Sequence, residues 1–192
     1  KMKEYKEMRD MFECDDVLAK ALRNDDVDTF QSLISQSGYK ISKLTVQKNM
    51  FEPFFKENMR YINYAAAYGS IRCFKYLLLN DEKIDELTFQ YSVFGGNNEL
   101  IRIVDNLEAD PNNFNNKTNR NMNMMLVHQN TNNNKYENAL IYSISMHRND
   151  LFDWILEQKN SLLKNNEVLL KLANCSIQNG NAHSLVQLID NN

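Results

Sequence analysis

The stretch that decides the fold is YAAAYGSIRCFKYLLL, residues 64–79. A run of small and apolar side chains ends at Gly69, and a second apolar period follows at Phe74, Leu77 and Leu78. Apolar residues spaced three and four apart lie on one face of a helix. Glycine adopts the left-handed conformation that commonly ends a helix. The stretch therefore predicts two short helices joined by a tight turn at Gly69.

The same pattern recurs along the chain. It is clear in YSVFGGNNELIRIVDN from residue 91 and YSISMHRNDLFDWILE from residue 142, and weaker in KALRNDDVDTFQSLIS from residue 20 and CSIQNGNAHSLVQLID from residue 175. A small residue precedes each turn by four positions: Ala21, Ala65, Ser92, Ser143 and Ser176. The turn positions are Asp25, Gly69, Gly96, His147 and Gly180. Such units cannot bury their apolar faces alone, so they predict stacking.

The spacing between the units is irregular. Successive turn positions are 44, 27, 51 and 33 residues apart, and only the last interval equals the ~33-residue ankyrin period. Residues 38–58 are expected to form a longer connection or an added helix. Residues 106–134 contain twelve asparagines and no apolar period, which favours an insertion or loop. Asp26, Ser70 and Asn181, directly after their turns, are predicted to cap the second helices.

Composition narrows the class of protein. Five glycines and two prolines are too few for many tight β-turns and favour an all-α fold. With 22 basic and 25 acidic side chains, the net charge of -3 excludes a global field for nucleic-acid binding. No apolar run approaches the ~20 residues of a membrane span. Cys14, Cys73 and Cys175 are odd in number and widely spaced, which predicts an intracellular, cytoplasmic location.

No pattern for chemistry is found. Cys175 and His183 lie eight residues apart, a spacing that no standard zinc pattern uses. Gly95 and Gly96 form a lone pair that lacks the phosphate-binding glycine patterns. We therefore predict no catalytic residue, no cofactor and no metal, and we expect a protein that is not an enzyme.

The segment AAAYGSIRCFKYLLL resembles the ankyrin repeat, with two small apolar residues, a glycine three residues on and a leucine-rich second helix. The order DVDTFQSLISQSGY, YINYAAAYGSIRCFKYLL, FGGNNELIRIV and HRNDLFDWILEQK is similar to a divergent ankyrin-repeat family that is multiplied in some unicellular eukaryotes. The likeness covers roughly residues 15–189. It implies an α-solenoid of about five degenerate helix-turn-helix repeats that binds an unidentified protein partner without catalysis.

Three side chains are the predicted contacts for that partner. Tyr68, Phe94 and Met146 lie between the small residue and the turn, at the end of the first helix of their units. Aromatic and methionine side chains are favoured in the centres of interfaces. The alternative is that these three side chains pack between neighbouring repeats.

The two ends of the chain give the last expectations. Residues 1–14, KMKEYKEMRDMFEC, predict an amphipathic helix that caps a single repeat domain over residues 1–192. The last apolar helix is followed by no polar cap. This favours an alternative function, a structural or self-assembling segment of a larger repeat protein that associates through its C-terminal end.

Overall fold

The computed structural model describes residues 16–37, 41, 44–49, 52, 55, 57–85, 87–109 and 124–191. The predicted capping helix over residues 1–14 lies outside the described residues. The chain divides into two compact units, residues 1–100 and residues 101–192. A repeat array permits such a division because each repeat contacts only its neighbours. The single repeat domain over residues 1–192 stays a prediction.

The described residues are mostly helical, which confirms the all-α prediction. Their α-helices form five consecutive pairs: pair 1 is α1 (Val17–Arg23) and α2 (Val27–Ser37), pair 2 is α3 (Tyr61–Ala67) and α4 (Ile71–Leu79), pair 3 is α5 (Thr88–Gly95) and α6 (Asn98–Ala109), pair 4 is α7 (Met124–Ser145) and α8 (Asn149–Gln158), and pair 5 is α9 (Asn166–Gln178) and α10 (Ala182–Asp190).

The five predicted turns have one backbone conformation. The turn residues have φ values of 52° to 72°, in the left-handed region: Asp25, Gly69, Gly96, His147 and Gly180. In four of the turns, the N–H of the residue that follows the turn residue donates to the carbonyl oxygen of the small residue, at 2.8–2.9 Å. The four accepting residues are Ala21, Ala65, Ser143 and Ser176. At the third turn, Gly96 N–H donates to Ser92 O at 3.0 Å. Both patterns supply a donor to a main-chain carbonyl that has no partner within the helix at its C-terminal end.

Neighbouring pairs stack like on like within each compact unit. In residues 1–100, α1 packs against α3, α3 against α5, and α2 against α4. In residues 101–192, α7 packs against α9 and α8 against α10. The five predicted small positions are all buried, and so are Phe74 and Leu77 of the second apolar period. Ile144, directly after Ser143, is fully buried, whereas Ile177, directly after Ser176, is 64% exposed.

Polar side chains connect each pair to the pair before it. Ser70 Oγ donates to Leu22 O at 2.5 Å, and Asn181 Nδ2 donates to Ile144 O at 3.1 Å. Leu22 and Ile144 hold the same position, one residue after the small residue, in pairs 1 and 4. The capping role predicted for Ser70 is therefore wrong: Asp25 of the preceding turn accepts from Cys73 N instead, at 2.8 Å. Asn181 does cap its helix through Ser184 N.

The connections contain little regular structure. Between pairs 1 and 2, β1 (Thr45–Val46) and β2 (Met59–Arg60) form an antiparallel ladder with Thr45 opposite Arg60. A 3₁₀ helix, Asn160–Lys164, joins pairs 4 and 5. The segment predicted as an insertion or loop, residues 106–134, is helical at both ends, since α6 continues to Ala109 and α7 begins at Met124. Residues 110–123 lie outside the described residues. An asparagine costs a helix up to about 0.7 kcal/mol relative to alanine. The packing of the fully buried residues Ala139, Leu140 and Ile144 in the same helix opposes this cost.

Candidate functional site

An aromatic cluster in residues 1–100 contains two of the three predicted contact residues. Tyr68 follows the end of α3, and Phe94 lies in the last turn of α5. Both rings pack against Phe55, with centroids 6.2 Å and 6.1 Å from its ring. Tyr64 and Tyr91 complete the cluster at 5.8 Å and 6.1 Å. We call these five residues the Phe55 cluster. Edge and tilted ring pairs of this kind contribute about 0.5–1.5 kcal/mol each.

The cluster has a buried base and a partly exposed rim. Phe55 is 6% exposed and Tyr64 is fully buried. Tyr68 is 38% exposed, while Tyr91 and Phe94 are half-buried. Tyr68 and Phe94 therefore pack between neighbouring helix pairs and are exposed in part. Their contact with a partner protein stays a prediction.

A buried ionic network fixes the base of the cluster. Glu52 is only 3% exposed, and its Oε1 accepts hydrogen bonds from the hydroxyls of Tyr64 and Tyr68. Arg23 Nη1 lies 3.3 Å from the same oxygen, with an Arg23 side chain that is 9% exposed. Asn49 Nδ2 donates to Glu52 Oε2 at 2.6 Å. Glu52 thus receives donors on both oxygens, which a buried carboxylate needs.

The network also sets protonation states. Burial alone raises the pKa of Glu52, but the hydrogen bonds from Tyr64, Tyr68 and Asn49 and the charge of Arg23 outweigh it, so that the pKa lies below the usual 4.5. Burial, followed by the bond to Glu52, raises the pKa of Tyr64 and Tyr68 above the usual 10.0. At neutral pH the tyrosines are neutral donors and Glu52 is ionised. The ring of Tyr68 is thereby held in one orientation.

Glu52 and Phe55 were not predicted from the sequence. They belong to MFEPFF, residues 50–55, within the segment expected to be a connection. The apolar density of this hexapeptide in a polar surrounding was the available signal. No local periodicity links the hexapeptide to α3 or α5, so its partners were not predictable from the pattern.

Met146, the third predicted contact, lies in the other compact unit. It is half-buried and follows the end of α7, directly before the turn at His147. The structure brings Tyr68 and Phe94 together and leaves Met146 as a separate candidate in residues 101–192.

The histidines and Cys175 in the described part of residues 101–192 contact residues of a neighbouring helix pair. His183 Nε2 lies 2.8 Å from Asp153 Oδ1, and His147 Nε2 lies 3.0 Å from Asn179 O, so both histidines connect pairs 4 and 5. Cys175 contacts Ser145 at 3.6 Å. Among the described residues, no group of three or more His, Cys, Asp or Glu side chains is placed to hold a metal ion. No helix there is long and apolar enough to cross a membrane.

Comparison with known proteins adds no relative: no family model, no curated protein and no solved structure matches the chain. The geometry of the Phe55 cluster therefore carries the functional argument. The cluster combines a partly exposed aromatic rim with a buried, hydrogen-bonded base.

Proposed function

We propose that this chain is an ankyrin-like repeat scaffold that binds a partner protein, without catalysis, through the rim of the Phe55 cluster. The observation that carries the proposal is the placement of Tyr68 and Phe94 at the ends of stacked first helices, packed on one buried ring. A cytoplasmic location is part of the proposal. Cys73 and Cys175 are free thiols, as expected in a reducing compartment.

Three features support the ankyrin-like part. The five turns share a left-handed residue, like helices stack on like helices, and polar side chains connect successive pairs. Helix pairs with these properties are the building blocks of repeat solenoids. The predicted solenoid of about five repeats is the arrangement that would align these pairs along one axis.

Rigidity supports the binding part. Residues that dominate binding energy are enriched in tyrosine and tryptophan, and they lose little entropy on binding when their rings are already fixed. The hydroxyl of Tyr68 is bonded to buried Glu52, and its ring lies 4.8 Å from the ring of Tyr64. A partner would therefore meet aromatic edges in a preorganised position.

The experiment begins with the immobilised full chain and an extract of the cells that make it. A protein retained by the chain is identified, purified and titrated against the wild type and against Tyr68→Ala/Phe94→Ala. Loss of two central aromatic contacts of about 2 kcal/mol or more in total should weaken binding at least tenfold. Circular dichroism checks that both chains have the same helical content.

The matched control is Leu79→Ala. Leu79 ends α4 and is 85% exposed, so the substitution removes apolar surface in the same compact unit without touching the cluster. We expect the Leu79→Ala affinity to stay within twofold of the wild type. Unchanged affinity in the folded double variant would show that the binding surface lies elsewhere.

A further inference from the structure

Gln90 is a buried polar side chain on the helix that supplies part of the aromatic rim. It is 8% exposed and belongs to α5, which also carries Tyr91 and Phe94 of the Phe55 cluster. Gln90 precedes Phe94 by four residues, so the two side chains lie on the same side of α5. Phe89, the residue before Gln90, is fully buried, whereas Tyr91, the residue after it, is half-buried. Gln90 therefore lies where the buried side of α5 meets the rim.

The side-chain amide of Gln90 has no hydrogen-bond partner in the part of the chain that the structure describes. The equivalent residue of pair 2 is Asn63, because each lies six residues before the glycine of its turn. Asn63 Nδ2 donates to Asp85 Oδ2 at 3.0 Å, and Asn63 Oδ1 accepts from Thr88 Oγ1 at 2.7 Å. The same position thus holds a bonded amide in pair 2 and an unbonded amide in pair 3.

An unbonded amide at this depth destabilises the free chain, because burial removes water without supplying another partner. A ligand that offers one donor and one acceptor relieves that loss when it binds. The main chain of an extended peptide offers both, since each residue carries an N–H and a C=O group. The amide of Gln90 therefore favours a ligand with an accessible main chain.

The charges at the base of the cluster are paired with each other. Glu52 Oε2 accepts from Asn49, and Glu52 Oε1 lies 3.3 Å from Arg23 Nη1. The side chains of Glu52 and Arg23 are 3% and 9% exposed. This network offers no unpaired charge to a ligand, and a charged side chain placed on the rings would lose its hydration without compensation. The rim therefore favours an uncharged, apolar side chain.

We propose that the rim of the Phe55 cluster binds an extended, uncharged segment of the partner protein. The main chain of the segment pairs with the amide of Gln90, and an apolar side chain packs on Tyr68 and Phe94. This inference rests on the proposed function and names the kind of partner. A helical ligand fits less well, because its N–H and C=O groups bond within the helix and leave Gln90 without a partner.

The test begins with short random peptides, displayed on phage and selected on the immobilised full chain. Enriched peptides are synthesised with blocked ends and titrated against the wild type, Tyr68→Ala/Phe94→Ala and Gln90→Leu. We expect the enriched peptides to share an uncharged segment. Their affinity should fall at least about tenfold in each variant.

N-methylated peptides test the pairing with the main chain. A methyl group on a main-chain nitrogen of the shared segment removes one donor. At the residue that bonds to Gln90, it should weaken binding to the wild type and have little further effect on binding to Gln90→Leu. Such non-additivity is the signature of two groups in direct contact.

The stability of Gln90→Leu separates a binding role from a structural one. The substitution removes an unbonded amide, so the free variant should unfold at the same urea concentration as the wild type or at a higher one. The matched control is Gln31→Leu, the same change at an exposed glutamine of α2. It should leave the peptide affinity within about twofold of the wild type.

Three outcomes would overturn the inference: no uncharged peptide is enriched on the wild type, the enriched peptides bind Gln90→Leu as tightly as the wild type, or Gln90→Leu unfolds at a lower urea concentration. The proposed function fails by a different result, a retained partner protein that binds Tyr68→Ala/Phe94→Ala as tightly as the wild type. A partner protein that requires Tyr68 and Phe94 but not Gln90 would support the scaffold and contradict the extended segment.

Discussion

The two compact units connect their helix pairs through polar contacts that differ in burial. In residues 1–100, a connecting segment inserts Glu52 and Phe55 beneath the first helices, and a buried ion pair and two tyrosine hydroxyls hold them there. In residues 101–192, pairs 4 and 5 are joined by half-exposed pairs such as Asp153 and His183, whose side chains are 39% and 38% exposed. The ion pair at the Phe55 cluster is therefore buried, whereas the ion pair between pairs 4 and 5 is half-exposed.

The two units also differ in the apolar side chains that they expose to solvent. The rim of the Phe55 cluster combines aromatic edges with hydroxyls that have internal partners, a composition typical of binding to a different protein. In residues 101–192, pair 5 instead exposes aliphatic side chains: Leu170, Ile177, Val186 and Ile189 are 53–68% exposed. The exposed apolar side chains are thus aromatic at the Phe55 cluster and aliphatic on pair 5.

We expect the largest loss of stability from a substitution that removes the charge of Glu52 from the buried network. Glu52→Gln leaves Arg23 as a buried charge without its carboxylate, and we expect a loss of about 3–5 kcal/mol in the free energy of unfolding. Asp153→Asn removes one side of a half-exposed pair and should cost under about 1 kcal/mol. Urea unfolding followed by circular dichroism measures both. Equal losses for the two variants would contradict the contrast between the units.

The sole tryptophan, Trp154, adds a local signal for this comparison. It belongs to α8, within residues 101–192, so its fluorescence follows the second unit. We expect Glu52→Gln to shift the urea midpoint measured by circular dichroism more than the midpoint measured at Trp154.

A pair of glycine substitutions gives the next largest effect. A Cβ atom on Gly95 would lie 2.3 Å from Ala66 O and 2.9 Å from Gly69 N, and backbone atoms have little room to move. Gly95→Ala should therefore cost about 1–3 kcal/mol or more through overpacking. Gly180 has a φ of 64° and no atom within 4 Å of its added Cβ, so Gly180→Ala meets only the left-handed penalty of about 1 kcal/mol.

Thermal unfolding of the two glycine variants tests this order. Gly95→Ala should have the lower midpoint, because the backbone of Ala66 and Gly69 leaves no room for a Cβ atom at that residue. A lower midpoint for Gly180→Ala would mean that turn conformation, and not the close approach of neighbouring pairs, limits stability.

The smallest expected effect is a loss of stability at acidic pH. Because the folded chain lowers the pKa of Glu52, the unfolded chain takes up the proton first as the pH falls below about 4.5. The contribution of Glu52 is complete above that pH and is lost as the pH falls through the folded-state pKa. Glutamine, like protonated Glu52, is uncharged and still accepts from the tyrosines, so the loss in acid should not exceed the loss in Glu52→Gln. Urea midpoints between pH 7 and pH 3 should fall more steeply for the wild type than for Glu52→Gln.

Local signals predicted the turns because one residue decides each of them. Gly69, Gly96 and Gly180 adopt the left-handed conformation without a Cβ penalty, and Asp25 and His147 adopt it in the same place with φ values of 52° and 53°. Helix periodicity on either side gave the buried positions near Phe74 and Phe152. These features depend on neighbours within a few residues.

The missed features depend on distant partners. Ser70 looked like a helix cap, but its hydroxyl bonds to Leu22 O, 48 residues away in sequence. Glu52 contacts Tyr64, Tyr68 and Arg23, and no sequence pattern near residue 52 indicates these partners. Ile177 and Ile144 follow equivalent serines, yet Ile177 is 64% exposed and Ile144 is fully buried, a difference that the local sequence does not indicate. Tyr68 and Phe94 were correctly placed near the turns, whereas their shared base at Phe55 was not foreseen.

The bonds from Ser70 to Leu22 O and from Asn181 to Ile144 O have an evolutionary corollary. The donor is a side chain, but the acceptor is a main-chain oxygen that every amino acid supplies. For this bond, a duplicated or transplanted helix pair needs only its own serine or asparagine, because any preceding pair supplies the acceptor. Lineages carrying this architecture could thus lengthen, shorten or shuffle their arrays while the receiving pair needs no compensating substitution at that position.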